Sequence, residues 1–107
     1  MPDSNDFRTL GPSDALRDDY VVPYYLGDSK QRISVARVAG ALYGFDDLCT
    51  HDSCPLSAGL LEGTVIMCQC SGCRFELTTG AVVNGPATEP LGVHEVRELD
   101  GNIQARV

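Results

Sequence analysis

All five cysteines of this 107-residue chain fall between positions 49 and 73, in two groups. The first reads Cys49-Thr50-His51-Asp52-Ser53-Cys54, the second Cys68-Gln69-Cys70-Ser71-Gly72-Cys73-Arg74-Phe75, and sixteen residues separate His51 from Cys68. Thiolate and imidazole are suitable ligands for zinc or for iron in a cluster. A Cys-x-His pair places two ligands on one tight loop, and the second loop can close the coordination sphere from the facing side. Extracellular disulfides are another reason for dense cysteine. Residues 1–19, however, carry five Asp against two Arg and no apolar stretch, so no secretory signal is expected. Clustered Cys and His in a chain expected to be cytoplasmic read first as a metal site. Other chemistry is poorly represented. His94 reads as an ordinary rim histidine, and Asp52 and Glu62 as solvated charges. No Ser/His/Asp arrangement and no Gly-rich phosphate loop occur.

Short strands must position the two groups. Residues 7–10 suggest an edge strand, 11–14 a turn, and Ser13 a cap for one helical turn reaching Arg17. Residues 20–26 are aromatic and β-branched, and Pro23 confines them to a sheet edge or bulge. Gly27-Asp28 reads as a turn. Runs 31–38 and 41–45 flank Gly40 as a hairpin. Residues 64–67 are a short apolar run. Runs 75–77 and 81–83 flank Thr79-Gly80, and runs 91–96 and 102–107 flank Asp100-Gly101, a strong hairpin signal. In 102–107 apolar and polar residues alternate, the period of a half-buried strand. No amphipathic helix is evident, so an all-β sandwich or small barrel is predicted, with both Cys groups in loops.

The length suits one domain, residues 1–107. Hydrophobic residues make up 43%, enough for a modest core, and eleven glycines and six prolines spread along the chain indicate many turns. No apolar stretch of about 18 residues is present, so no transmembrane helix is expected. The net charge is −7 with a single lysine, which makes nucleic acid and anionic membrane poor partners.

The order Cys-x-His, sixteen residues, then Cys-x-x-ligand resembles the Rieske iron–sulfur proteins from about Phe7 to Val107. Residues 46–51 resemble the approach to the first loop, and 56–63 the stretch after it. Gly72-x-Arg74-Phe75 with Thr79-Gly80 resembles the exit from the second, and Gly85-Pro86-Ala87 the proline loop over the cluster. The resemblance implies an all-β Rieske-like β-sandwich with a small inserted cluster-binding subdomain. Its cluster-binding loops lie at about 46–63 and 67–76, and its proline loop at 84–88. It implies a [2Fe–2S] cluster with Cys49 and Cys68 on one iron and His51 on the other. Replacing thiolates by neutral imidazoles makes such a cluster easier to reduce.

At the position of the family's second histidine this chain has Ser71. A serine oxygen can ligate iron, so the expected set is Cys49, His51, Cys68 and Ser71 (or a water beside it), with Cys73 and then Cys70 as alternative fourth ligands. Some family members join cysteines matching Cys54 and Cys70 by a disulfide, and the same is expected here. In high-potential relatives Ser and Tyr hydroxyls hydrogen-bond cluster sulfurs from positions matching Cys73 and Phe75, which lack them.

The resemblance also implies a function. At this length neither the catalytic iron domain of Rieske oxygenases nor the membrane anchor of respiratory Rieske proteins is expected. The chain is therefore expected to be a soluble, cytoplasmic one-electron carrier and not an enzyme. It would pass electrons from a flavin-dependent ferredoxin reductase to the terminal oxygenase of an aromatic ring-hydroxylating dioxygenase system. The alternatives are a structural zinc domain using His51 with three cysteines, or a cluster-free Rieske-like accessory subunit.

Overall fold

The computed structural model describes residues 7–26, 31–51, 54–85 and 87–106. The predicted turn at Gly27-Asp28, Asp52, Pro86 and the end of the last strand at Val107 lie outside them.

Among the described residues eleven strands form three antiparallel sheets. The first sheet joins β1 (Phe7–Pro12), β11 (Asn102–Arg106) and β10 (Val96–Leu99), in the order β1-β11-β10. The second joins β2 (Tyr20–Leu26), β3 (Gln31–Val38), β4 (Ala41–Asp46) and β9 (Val93–His94), in that order. The third, inserted between β4 and β9, is a meander of β5 (Leu60–Glu62), β6 (Val65–Met67), β7 (Arg74–Glu76) and β8 (Val82–Asn84).

Local chemistry explains the turns. Asp100 and Gly101 both take positive φ, 53° and 79°, the type I′ geometry that matches the twist of β10 and β11. Gly80 (φ 85°) turns the β7–β8 hairpin, and a Cβ there would stand 2.1 Å from the Leu91 carbonyl oxygen. Pro23 sits on β2, an edge strand, where a missing N–H disrupts no inner ladder. β1 is likewise an edge strand.

Three local expectations are corrected. Ser13 begins a 3₁₀ turn (Ser13–Ala15) but does not cap it, because the turn follows Pro12 and the Ser13 hydroxyl is engaged with Glu98. The predicted strand 91–96 divides at Glu95. Val93–His94 pairs with β4, while Val96 onward pairs with β11. Leu60–Glu62, not foreseen as a strand, forms a hairpin with β6 through Gly63 (φ 59°).

β3 is the middle of the molecule. Ile33, Ser34, Val35 and Ala36 are all buried, so both of its faces are covered. Val35 packs with Leu16 and Ile103 toward the first sheet. Ala36 and Phe45 belong to a second core with Leu56, Ile66, Phe75, Ala87 and Leu91, and Cys49, Cys68 and Cys73 are part of that core. The chemistry-bearing sulfurs therefore lie where the inserted sheet meets the second sheet.

Candidate metal centre

The first Cys loop leaves β4 and is fastened to the second sheet by Asp47. Its fully buried carboxylate accepts from Arg32 Nε at 2.5 Å, Ser34 Oγ at 2.7 Å and the Ser57 amide at 2.8 Å. Its backbone adds Asp47 N–H to the Arg32 carbonyl (3.0 Å) and Leu56 N–H to the Asp47 carbonyl (2.5 Å). Burial alone would raise the Asp47 carboxyl. The hydrogen bonds from Ser34, Ser57 and Arg32 outweigh it and hold the group below the usual carboxylate range. Within the loop, Leu48 bridges to Pro55 and the Cys49 N–H donates to the Cys54 carbonyl at 2.9 Å. A Cβ on Gly59 would stand 1.9 Å from the Met67 carbonyl oxygen, so glycine lets this loop rest directly on the inserted sheet.

The second loop joins β6 to β7. It is closed by Cys68 N–H to the Cys73 carbonyl (2.7 Å) and Gly72 N–H to the Cys68 carbonyl (2.8 Å). Gly72 takes φ 79°, which allows the reversal.

Three cross-ties hold the loops together. Cys54 and Cys70 are joined by a disulfide with Cα atoms 6.4 Å apart. Thr50 Oγ1 donates to the Glu89 carbonyl at 2.8 Å, and the Ala87 N–H donates to Cys73 Sγ at 3.2 Å. Each pair among the first loop, the second loop and the segment at 84–89 is thus linked.

Of the residues the sequence singles out, Cys49 and Cys68 are buried at 2% and 0% exposure, and His51 is exposed on the same loop as Cys49. Ser71 is half-buried, and its Oγ lies 3.1 Å from Cys73 Sγ, itself fully buried. Among the described residues the sulfurs of Cys54, Cys68 and Cys70 lie within 4.8 Å of one another. Phe75 is fully buried and brings no polar atom. His94 is engaged at the end of β4, with Nε2 2.7 Å from Asp46 Oδ1. Asp47, the residue that fixes the first loop, is missed by sequence reasoning. The signal available is an Asp-Asp pair wedged between an apolar strand and Cys49.

The donor set fits an iron–sulfur cluster: two buried thiols at the inner side, one exposed imidazole at the outer, and an oxygen or a third thiol beside them. Soft sulfur ligands inside and nitrogen at the surface suit iron bound with sulfide.

Comparison with known proteins agrees. The Rieske [2Fe–2S] domain family matches residues 7–99. The chain is 41% identical to the ferredoxin CarAc of Metapseudomonas resinovorans over 71 residues, 66% of each chain. It is 29% identical to the anthranilate 1,2-dioxygenase ferredoxin subunit of Burkholderia cepacia, covering 95% of this chain and 93% of that one. The chain thus spans about two thirds of the length of some curated relatives and nearly all of others. Among solved structures it superposes on a ferredoxin–oxygenase complex of carbazole 1,9a-dioxygenase with a TM-score of 0.86 at 29% identity, covering 94% of this chain and 93% of that one. The ferredoxin of Sphingomonas yanoikuyae B1 also gives 0.86, at 28% identity, covering 94% and 97%. The all-β architecture, the inserted loop-bearing sheet and the cysteine-lined core accord with these matches, and the chain belongs to the Rieske [2Fe–2S] domain family.

Proposed function

We propose that this chain is a one-electron carrier that delivers electrons to the terminal oxygenase of a ring-hydroxylating dioxygenase system. Residues 1–107 are read as one Rieske-like domain. The observation that carries the reading is the polarity of the site: Cys49 and Cys68 are buried while His51 is exposed. A [2Fe–2S] cluster held between them supplies a site that gains and loses one electron. The exposed His51 would hold it on the solvent side, and the buried Cys49 and Cys68 on the core side.

The proposed ligands are Cys49, Cys68, His51 and Ser71, with Cys73 as the alternative fourth. The relatives are ferredoxin components of dioxygenase systems, and one of the similar structures is an oxygenase–ferredoxin complex. By analogy the donor is a flavin-dependent ferredoxin reductase and the acceptor a terminal oxygenase, in the cytoplasm. Among the described residues no helix is long and apolar enough to cross a membrane. The net charge of −7 favours a basic docking face over nucleic acid or an anionic membrane. The relatives favour this reading over a structural zinc domain or a cluster-free subunit.

The deciding experiment is an anaerobic reductive titration of the purified protein, followed by optical and electron paramagnetic resonance spectroscopy. Reversible bleaching by about one electron per chain, with the rhombic signal of a mixed N/S-ligated cluster, is expected. Absence of a reversible one-electron step overturns the reading.

A further inference from the structure

The Sγ atoms of Cys54, Cys68 and Cys70 form one sulfur group, all within 4.8 Å of one another. In the oxidised chain two of them are neutral disulfide sulfurs, which are poor ligands because they carry no thiolate charge. Reduction changes that. Two thiolates bound to the same zinc at about 2.3 Å stand about 3.8 Å apart in a tetrahedron. Breaking the disulfide lets its sulfurs separate toward that spacing, with Cys68 already inside the same sphere.

The surrounding backbone holds the three residues in place. Cys68 and Cys70 share one turn, closed by Cys68 N–H to the Cys73 carbonyl and Gly72 N–H to the Cys68 carbonyl. Cys54 is fixed from the first loop by the Cys49 amide. Burial is graded, with Cys68 buried, Cys54 half-buried and Cys70 exposed. A cation therefore has a dry inner ligand, an entry path on the Cys70 side, and solvent for its fourth position.

We propose that reduction of the Cys54–Cys70 disulfide unmasks a three-thiolate site of Cys54, Cys68 and Cys70 for a thiophilic closed-shell divalent cation of the zinc group. The claim that this site competes with the cluster for Cys68 rests on the reading of Cys68 as a cluster ligand. The disulfide then does more than brace the loops, because it keeps two thiolates from acting beside a ligand position.

The chemistry balances with a dithiol as reductant. The disulfide takes two electrons and two protons from the dithiol, which closes into its own disulfide. Three thiols then form three sulfur–metal bonds and release up to three protons to solvent. Dithiol and glutathione systems of a reducing compartment supply such a reductant.

The test uses the cluster-loaded full chain, whose optical spectrum and electron uptake are recorded first, so failure of the electron-carrier reading is seen separately. The protein is then incubated with Cd²⁺, with a trialkylphosphine, or with both. It is desalted, analysed for cadmium, alkylated, and mapped by mass spectrometry. With both reagents, retention of about one cadmium per chain is expected, with alkylation of Cys54 and Cys70 slowed about tenfold or more relative to phosphine alone. Iron release should be faster than with either reagent alone. Cys70→Ser should retain cadmium about tenfold more weakly than the parent. Equal alkylation of Cys54 and Cys70 with and without cadmium overturns the proposal. So does cadmium retention without the phosphine, or protection that falls on Cys49 and Cys73. The mapping needs no variant, so a misfolded mutant does not blunt it.

Discussion

Ser71 Oγ lies 3.1 Å from Cys73 Sγ, and that sulfur also receives the Ala87 N–H at 3.2 Å. The residue at the proposed fourth ligand position is thus in contact with its chemical rival, and the rival also accepts from the Ala87 amide. Cys73 is fully buried and Ser71 half-buried. This arrangement favours Ser71, or a water beside it, over Cys73 at the outer iron, since Cys73 already has two polar neighbours in the core. Ser71→His should raise the reduction potential and lengthen cluster lifetime, because neutral imidazole replaces an oxygen ligand. Potentials and cluster half-lives of Ser71→His, Ser71→Ala and Cys73→Ala check this. If Ser71→Ala matches the parent while Cys73→Ala loses the cluster, Cys73 is the ligand.

Metal content gives a second prediction. The protein should carry about two irons and two sulfides per chain, and Cys49→Ala or Cys68→Ala should abolish the visible absorbance. Elemental and sulfide analysis decides it, and zinc without sulfide would contradict the electron-carrier reading.

The reduction potential should be about −150 mV or lower, at or below the bottom of the Rieske range. Hydroxyl donors to cluster sulfurs raise the potential, and here Phe75 has none. The Cys73 thiol is a weak donor already in contact with Ser71. A potentiometric titration with a midpoint well above zero would rule out this account.

Asp47→Ala should destabilise the fold by about 2 kcal/mol or more, since it leaves the buried Ser34 hydroxyl and the Ser57 amide without their shared acceptor, while the exposed Arg32 guanidinium can turn to solvent. Because the Asp47 carboxyl is held below its ordinary value, its contribution is complete above the unfolded value of about 3.9. It is lost as pH falls through the lower folded value. Denaturant unfolding of parent and Asp47→Asn across acidic pH tests this. The parent should lose stability below about pH 4 more steeply than the variant.

The sequence made the hairpins legible where turn chemistry was local. Asp100-Gly101, Thr79-Gly80 and Gly40 each mark a reversal that depends on a positive φ. The two Cys groups were legible because metal ligands must be specific residue types at fixed spacing. What escaped depended on tertiary partners. The division at Glu95 arises because neighbouring residues serve different sheets, which no local period records. Ser34 is a polar residue in an apolar strand, and it is fully buried because its hydroxyl donates to Asp47, a partner thirteen residues away. The Ser71–Cys73 contact lies in side-chain direction, which spacing does not encode.

The proposed ligand loops grow from different sheets, the first from β4 and the second from between β6 and β7. The gap they span is therefore set by how the layers are stacked, with Ala36, Phe45, Leu56 and Phe75 acting as the jaws of a caliper. A methyl group removed from that stack, which also holds Cys49, Cys68 and Cys73, would reset the opening at the loops. Substitutions among these buried apolar residues, and not only at the proposed ligands, would then shift the potential of a cluster held between the loops.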